Sequence, residues 1–285
     1  MTDFESKNKA HKVVCEVAVR DEIPLSSNKS SHGKDISVEL MRSLISSTKV
    51  SAKYIYTYDT RDNAASPSNG DYLQRTLELA IPSGSAQFVK SELSTQIHRT
   101  LGLGIYGQPG LVASLCGNLG LLIPLKVFGV EATSSTSYLA HGKIPHMSDR
   151  FYLGGPLSLR GFNNYGIGSR VTPTAGGSQF GDPLGGISKS SLLFLLSVPI
   201  PLVSLAQNNG RAFMFINAGS IGSPNYWATK EKSNIFGSPR VSVGGGLSFA
   251  FGSAARIECT YTIPLLKNDN DIVKPFQLGV SLSIN

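Results

Sequence analysis

Acid-base, nucleophilic or metal-assisted chemistry needs side chains that the chain can bring together, and the histidines offer no such set. His11, His32, His98, His141 and His146 form no HExxH pair and face no GxSxG serine, and no paired carboxylates recur at helical spacing. His141, His146 and Asp149 are the one group a loop could gather around a metal ion, against the plainer reading of ordinary loop residues. Cys15, Cys116 and Cys259 lie too far apart for zinc-ligand spacing, and each sits in a strand-like stretch as small apolar filler. Gly102, Gly104 and Gly107 satisfy GxGxxG, but Pro109 and Gly110 stand where a phosphate-binding helix would begin, and Leu111 to Leu125 reads as another strand. These features point to no enzyme, no cofactor and no metal site.

A different chemistry is available in Phe151-Tyr152-Leu153-Gly154-Gly155-Pro156-Leu157-Ser158-Leu159-Arg160-Gly161-Phe162. An arginine beside a glycine can project its five donors from a sharply turning backbone and tie a loop to carbonyls or carboxylates. A flexible, solvated loop is the other reading. Upstream, Asp59-Thr60-Arg61-Asp62-Asn63, followed by Pro67 and Gly70, supplies residues suited to a tight reversal between two strands.

The elements that would position these residues alternate apolar and polar with period two. From Phe276 to Asn285, one face carries Phe276, Leu278, Val280, Leu282 and Ile284, and the other carries Gln277, Gly279, Ser281 and Ser283. The same pattern recurs over 240–251 and 256–263, and Tyr54, Tyr56 and Tyr58 alternate with Lys53, Ile55 and Thr57. It predicts strands at 12–20, 36–44, 50–60, 72–81, 88–101, 111–123, 190–198, 211–219, 239–251, 256–264 and 276–285. Several reach the nine to eleven residues of a tilted bilayer-crossing strand, against about five or six in soluble domains. Period alone does not separate a membrane barrel from a soluble sandwich. The Gly/Ser/Pro-rich stretch 126–188 breaks the rhythm and contains the Arg-Gly motif; loops that long are usually functional.

Composition agrees with β-structure: 30 glycines, 13 phenylalanines, 10 tyrosines and 16% charged residues, with a hydrophobic fraction of 41% that is too low for a helical membrane bundle. The net charge of +7 is dispersed, without the basic, aromatic-interleaved runs of a nucleic-acid binder. Leu192 to Val203 is interrupted by Pro199 and Pro201 and falls short of the roughly 18 residues of a spanning helix. The opening MTDFESKNKAHK has neither the apolar core of a secretory signal nor the Arg-rich character of a transit peptide. It reads as a short tail, 1–10, ahead of a barrel domain at 11–285.

Leu159-Arg160-Gly161-Phe162 resembles the loop signature of the outer-membrane assembly-factor superfamily, which includes bacterial assembly barrels, chloroplast import channels and a mitochondrial sorting and assembly branch. The lead-in Phe151, Tyr152, Gly154, Gly155 and Pro156 is closest to the mitochondrial branch. Asp59, Arg61 and Asp62 resemble a second family element, and Phe215-Ile216-Asn217-Ala218-Gly219 resembles the strand that follows the loop's return. The last strand, through Gln277, Gly279, Leu282 and Ile284, is similar to the sorting signal of mitochondrial barrel precursors, a pattern that Ser242, Gly244, Leu247 and Phe249 also fit. The match runs from about residue 36 to the end.

This resemblance implies an all-β, antiparallel transmembrane barrel: the C-terminal part of a sixteen-stranded architecture, with about eleven strands present, truncated at the N-terminus and lacking a substrate-receiving domain. It implies that Arg160 is held against the inner wall. The positions where bacterial members carry acidic groups fall on Leu195 and Asn217, so the expected partner is a backbone carbonyl or a lumen carboxylate such as Glu258. The implied function is assembly of β-barrel precursors into the mitochondrial outer membrane, with lipids, unfolded precursors and accessory subunits as partners and no nucleic acid. Alternatives are a passive pore or protein-translocating channel of the same superfamily, in the chloroplast envelope or the bacterial outer membrane, or an inactive truncated paralogue.

Overall fold

The computed structural model describes residues 2–6, 8–20, 47–81, 86–104, 107–128, 144–171, 181–202, 209–228 and 234–282. Eleven strands lie among them: β1 (Thr2–Ser6), β2 (Lys9–Arg20), β3 (Ser47–Asp59), β4 (Gly70–Ala80), β5 (Phe88–Thr100), β6 (Val112–Pro124), β7 (Ser188–Pro199), β8 (Gly210–Ile221), β9 (Arg240–Phe251), β10 (Ala255–Leu266) and β11 (Phe276–Leu282). They form one sheet in sequence order, antiparallel throughout, and β1 and β11 are not paired with each other among the described residues.

Nine consecutive strands, β2 to β10, hold 11 to 13 residues each, the length of strands that cross a bilayer at a tilt. The burial pattern then decides what periodicity could not. Ser51, Glu78, Ser114, Asn217, Ser242, Thr260 and Gln277 are buried on the inner face, while Leu119, Leu192, Met214, Ile263 and Leu278 stand exposed on the outer one. A soluble sandwich would hide the second set. An outward apolar band around a polar interior is what lipid demands, because the backbone's hydrogen bonds are closed between strands and only apolar side chains meet the hydrocarbon.

Alternation in the sequence predicted most strands to within a few residues, with two differences. The stretch read as a tail, 1–10, contains β1 and the start of β2; five residues, Thr2 to Ser6, pair with Lys9–Val13, too short a run for its period to stand out. The strand expected at 36–44, like Ile284 at the chain's end, lies outside the described residues. Turns at one sheet end are those after β1, β3, β5, β7 and β9. The segments after β2, β4, β6, β8 and β10, including the long one that carries Arg160, leave from the other end.

Candidate functional site

The segment between β6 and β7 folds back over the inner face of the last four strands. Its described residues are 125–128, 144–171 and 181–187, and it turns at Gly154 and Gly155, whose φ angles of 120° and 107° favour glycine. A Cβ on Gly154 would lie 2.3 Å from the Asn163 carbonyl. The Gly155 N–H donates to the Phe162 carbonyl at 3.0 Å and closes the turn that presents Arg160. Leu153, Leu159, Phe162 and Ile167 pack with Ile221 of β8 and with Val273 into a small apolar core that joins the loop to the sheet.

Both ends of Arg160 are fixed. Its backbone N–H donates to the Asn217 amide oxygen at 2.7 Å, and its carbonyl accepts from Ser242 Oγ at 2.7 Å. Its guanidinium donates from Nη2 to Glu258 at 2.7 Å and lies over the rings of Phe215 (5.1 Å) and Phe213 (5.9 Å). Glu258 is also 3.2 Å from Arg256 Nε, so one buried carboxylate stands between two guanidiniums. Next along, the Gly161 N–H donates to Gln277 Oε1 at 2.9 Å, and Gln277 Nε2 donates to the Phe162 carbonyl at 2.7 Å. The β10–β11 turn continues the seam, with Asn163 N–H to the Ile272 carbonyl at 2.8 Å and Lys274 N–H to the Gly161 carbonyl at 2.9 Å. Arg240 holds that turn through Asp271 at 2.9 and 3.0 Å.

The lead-in is anchored separately. Phe151 bridges Gly186 and lies between the ammonium groups of Lys90 and Lys189, 4.5 and 4.9 Å from its ring. Tyr152 meets Tyr165 edge-on at 4.9 Å, and Pro156 comes close enough to Gly279 that a Cβ there would sit 3.1 Å from the proline. Asp149 takes a bidentate contact from Arg20 of β2 at 2.8 Å. His146 Nδ1 lies 2.7 Å from Ser148 Oγ, and no cluster of metal-ligating residues occurs among the described residues, which do not include His141.

Thus the structure brings Gly161 and Phe162 onto Gln277 and Pro156 onto Gly279 of β11, while Leu159 lies against Gly219 of β8 and Arg160 reaches Asn217, Ser242 and Glu258 of β8, β9 and β10. Leu282 points outward, away from them. The turn motif belongs to the opposite end: Arg61 forks onto Asp59 at 2.9 and 2.7 Å, reaches Gln96 at 3.1 Å and covers the Tyr72 ring at 4.4 Å. Of the loop's contacts, the family resemblance marks the position of Asn217, whereas Ser242, Arg256 and Gln277 were not readable as such. Their signal was a polar residue on the lumen phase of a strand, and only the cross-strand register, such as Asn217 opposite Ser242, gathers them.

Asp62 organises the turn between β3 and β4, accepting from the Asn63, Ser68 and Asn69 amides at 2.9, 2.9 and 3.2 Å and from the Ser68 hydroxyl. Burial alone would raise its pKa, but the Ser68 hydroxyl and these N–H donors outweigh that and hold it below its ordinary 3.8. A lowered carboxyl stabilises the fold above its unfolded pKa and loses that contribution as pH falls through the lower folded value. Protection of the Ser68 and Asn69 amides, relative to their intrinsic exchange rates, is therefore expected to fall below the ordinary aspartate range in the native protein and to be low at every pH in Asp62→Ala. A pH-independent native turn would refute this.

The Omp85 superfamily domain matches residues 16–284. A SAM50-like protein of Schizosaccharomyces pombe is 33% identical over 244 residues, covering 83% of this chain and 45% of that protein. The human sorting and assembly machinery component 50 homolog is 29% identical over 243 residues, 83% of this chain and 46% of its own length. The chain thus spans less than half of these relatives. The crystal structure of BamA from Haemophilus ducreyi lacking POTRA domains 1–3 superposes with a TM-score of 0.67 at 16% identity, over 97% of this chain and 51% of that one, a likeness of fold. Long strands with an inverted burial pattern, an in-folded Arg-Gly loop and the domain match over nearly the whole chain lead to one conclusion: this chain is an outer-membrane β-barrel protein of the Omp85 superfamily.

Proposed function

We propose that this chain serves the insertion and folding of β-barrel precursors in the mitochondrial outer membrane, working with accessory subunits and catalysing no reaction. The observation that carries the reading is the double hydrogen bond between the Arg160 loop and Gln277, which ties the loop to β11. Among the described residues β11 pairs with β10 alone. A strand edge with free N–H and C=O groups templates another strand, and a precursor strand adding there would meet a strand whose inner face the loop holds in place. The relatives named for sorting and assembly support the mitochondrial address.

The test is insertion of a radiolabelled porin precursor into membranes in which this chain is the supplied barrel. Arg160→Ala is expected to slow insertion several-fold while the chain stays in the carbonate-resistant membrane fraction. Unchanged kinetics would remove Arg160 from the mechanism, and insertion independent of the chain would remove the assembly role.

A further inference from the structure

The outer wall of β2 to β5 departs from a plain apolar belt. Cross-strand register places His11, Tyr56, Arg75 and Leu93 in one outward row, with Lys9, Tyr58 and Leu73 in the row nearer the turn and Val13, Tyr54 and Leu77 in the row beyond. Outward tyrosines on the turn half mark the level of the headgroups. His11 is tied to the Tyr54 hydroxyl at 2.7 Å and lies 5.0 Å from the Tyr56 ring. Arg75 is exposed and, among the described residues, has no hydrogen bond or ion pair. The nearby carboxylate on this face, Asp71, is taken by Arg99 at 2.8 and 3.0 Å.

An unpaired guanidinium against hydrocarbon is unfavourable, least so where its stem can carry it to the interface and an anion meets it. Five residues into β4, Arg75 is within such reach of the turn-side headgroups. The wall beside it is concave. Leu93, its cross-strand neighbour, opens a groove of about 360 Å³ that continues over Thr95, Gly117, Leu119, Leu192 and Ala218. Small side chains form its floor, and the Ser190 and Ser220 hydroxyls bordering it bond each other at 2.8 Å, so they make no polar demand on an occupant.

We propose that this face is a binding site for an anionic phospholipid, its phosphate on Arg75 with the Tyr56 and Tyr58 hydroxyls and Lys9 at hand, and an acyl chain lying over Leu93 into the groove. The inference rests on the outer face lying in lipid.

The test reconstitutes the full chain in phosphatidylcholine vesicles and compares the motionally immobilised fraction of spin-labelled phosphatidylglycerol with that of spin-labelled phosphatidylcholine. The native chain should favour the anionic lipid by about fivefold, the effect of one cation near the surface. Arg75→Gln should bring the preference close to one, and Arg75→Lys should keep most of it. Ala218→Leu, which fills the groove from outside, should lower the immobilised fraction. Lack of preference in the native chain, or preference retained in Arg75→Gln, overturns the site. Loss of preference on adding inorganic phosphate would assign it to a free anion and overturn it too. Absence of any immobilised lipid would overturn the membrane assignment along with it.

Discussion

Glu258→Gln is expected to free the in-folded loop more completely than Arg160→Ala. The two partners look equivalent at 2.7 Å, with side-chain exposures of 5% and 6%, yet their surroundings differ. Removing Arg160 leaves Glu258 with Arg256 at 3.2 Å, so the carboxylate keeps a cation. Removing the carboxylate charge leaves the buried Arg160 guanidinium and the partly buried one of Arg256 without the anion they share, with the Phe213 ring about 5.9 Å from each. Stranding a buried charge costs about 3–5 kcal/mol, and here repulsion between the arginines adds to it. Hydrogen exchange over residues 154–167, with urea unfolding followed by heat-modifiable gel mobility, should show the loop protected in the native chain, weakened in Arg160→Ala and open in Glu258→Gln. Arg256→Met in the Glu258→Gln background should recover part of the loss. A Glu258→Gln chain as protected as Arg160→Ala would show that the loop is held by its backbone contacts and not by the ion pair.

That such a carboxylate would face Arg160 could be expected from residue type, since Glu258 falls on the polar phase of an alternating stretch. The strands were legible for the same reason: Ile257, Cys259 and Tyr261 against Glu258, Thr260 and Thr262 reads as one two-faced strand without any coordinates. Period alone did not say which face meets lipid, because alternation has no sign; the apolar outside followed only from reading the chain as a membrane barrel. The sign came from burial, with Thr260 and Thr262 almost fully enclosed and Tyr261 and Ile263 exposed. Long-range assembly was hidden as well. Gln277 resembled part of a sorting pattern, whereas in the fold its amide clamps Gly161 and Phe162, more than a hundred residues away. No local propensity encodes a contact fixed by sheet register and loop return together. The β1 strand escaped for the opposite reason, a segment too short for period to rise above chance.

Gly161→Ala should cost the loop about 2–4 kcal/mol, through two separable effects. Gly161 has a φ of 90°, where an L side chain is strained by roughly 1–3 kcal/mol. A Cβ there would also sit 2.7 Å from Thr262 Cγ2 and 3.4 Å from the Ser242 side chain. Neither neighbour can yield easily: Thr262 is fully enclosed in β10, and Ser242 is engaged with the Arg160 carbonyl. Thr262→Ser deletes the obstructing methyl while keeping the hydroxyl. In the Gly161→Ala background it should therefore restore the steric share of the loss and leave the backbone share in place, giving a coupling energy of about 1 kcal/mol or more in a double-mutant cycle. The readout is urea unfolding together with exchange at the Gly161 and Asn163 amides, which donate to Gln277 and to the β10–β11 turn. Additive losses would mean that the loop moves off β10 to admit the methyl and that its seat against Thr262 is not rigid. Coupling of the expected size would mean that Arg160 is held by a backbone with one place to lie.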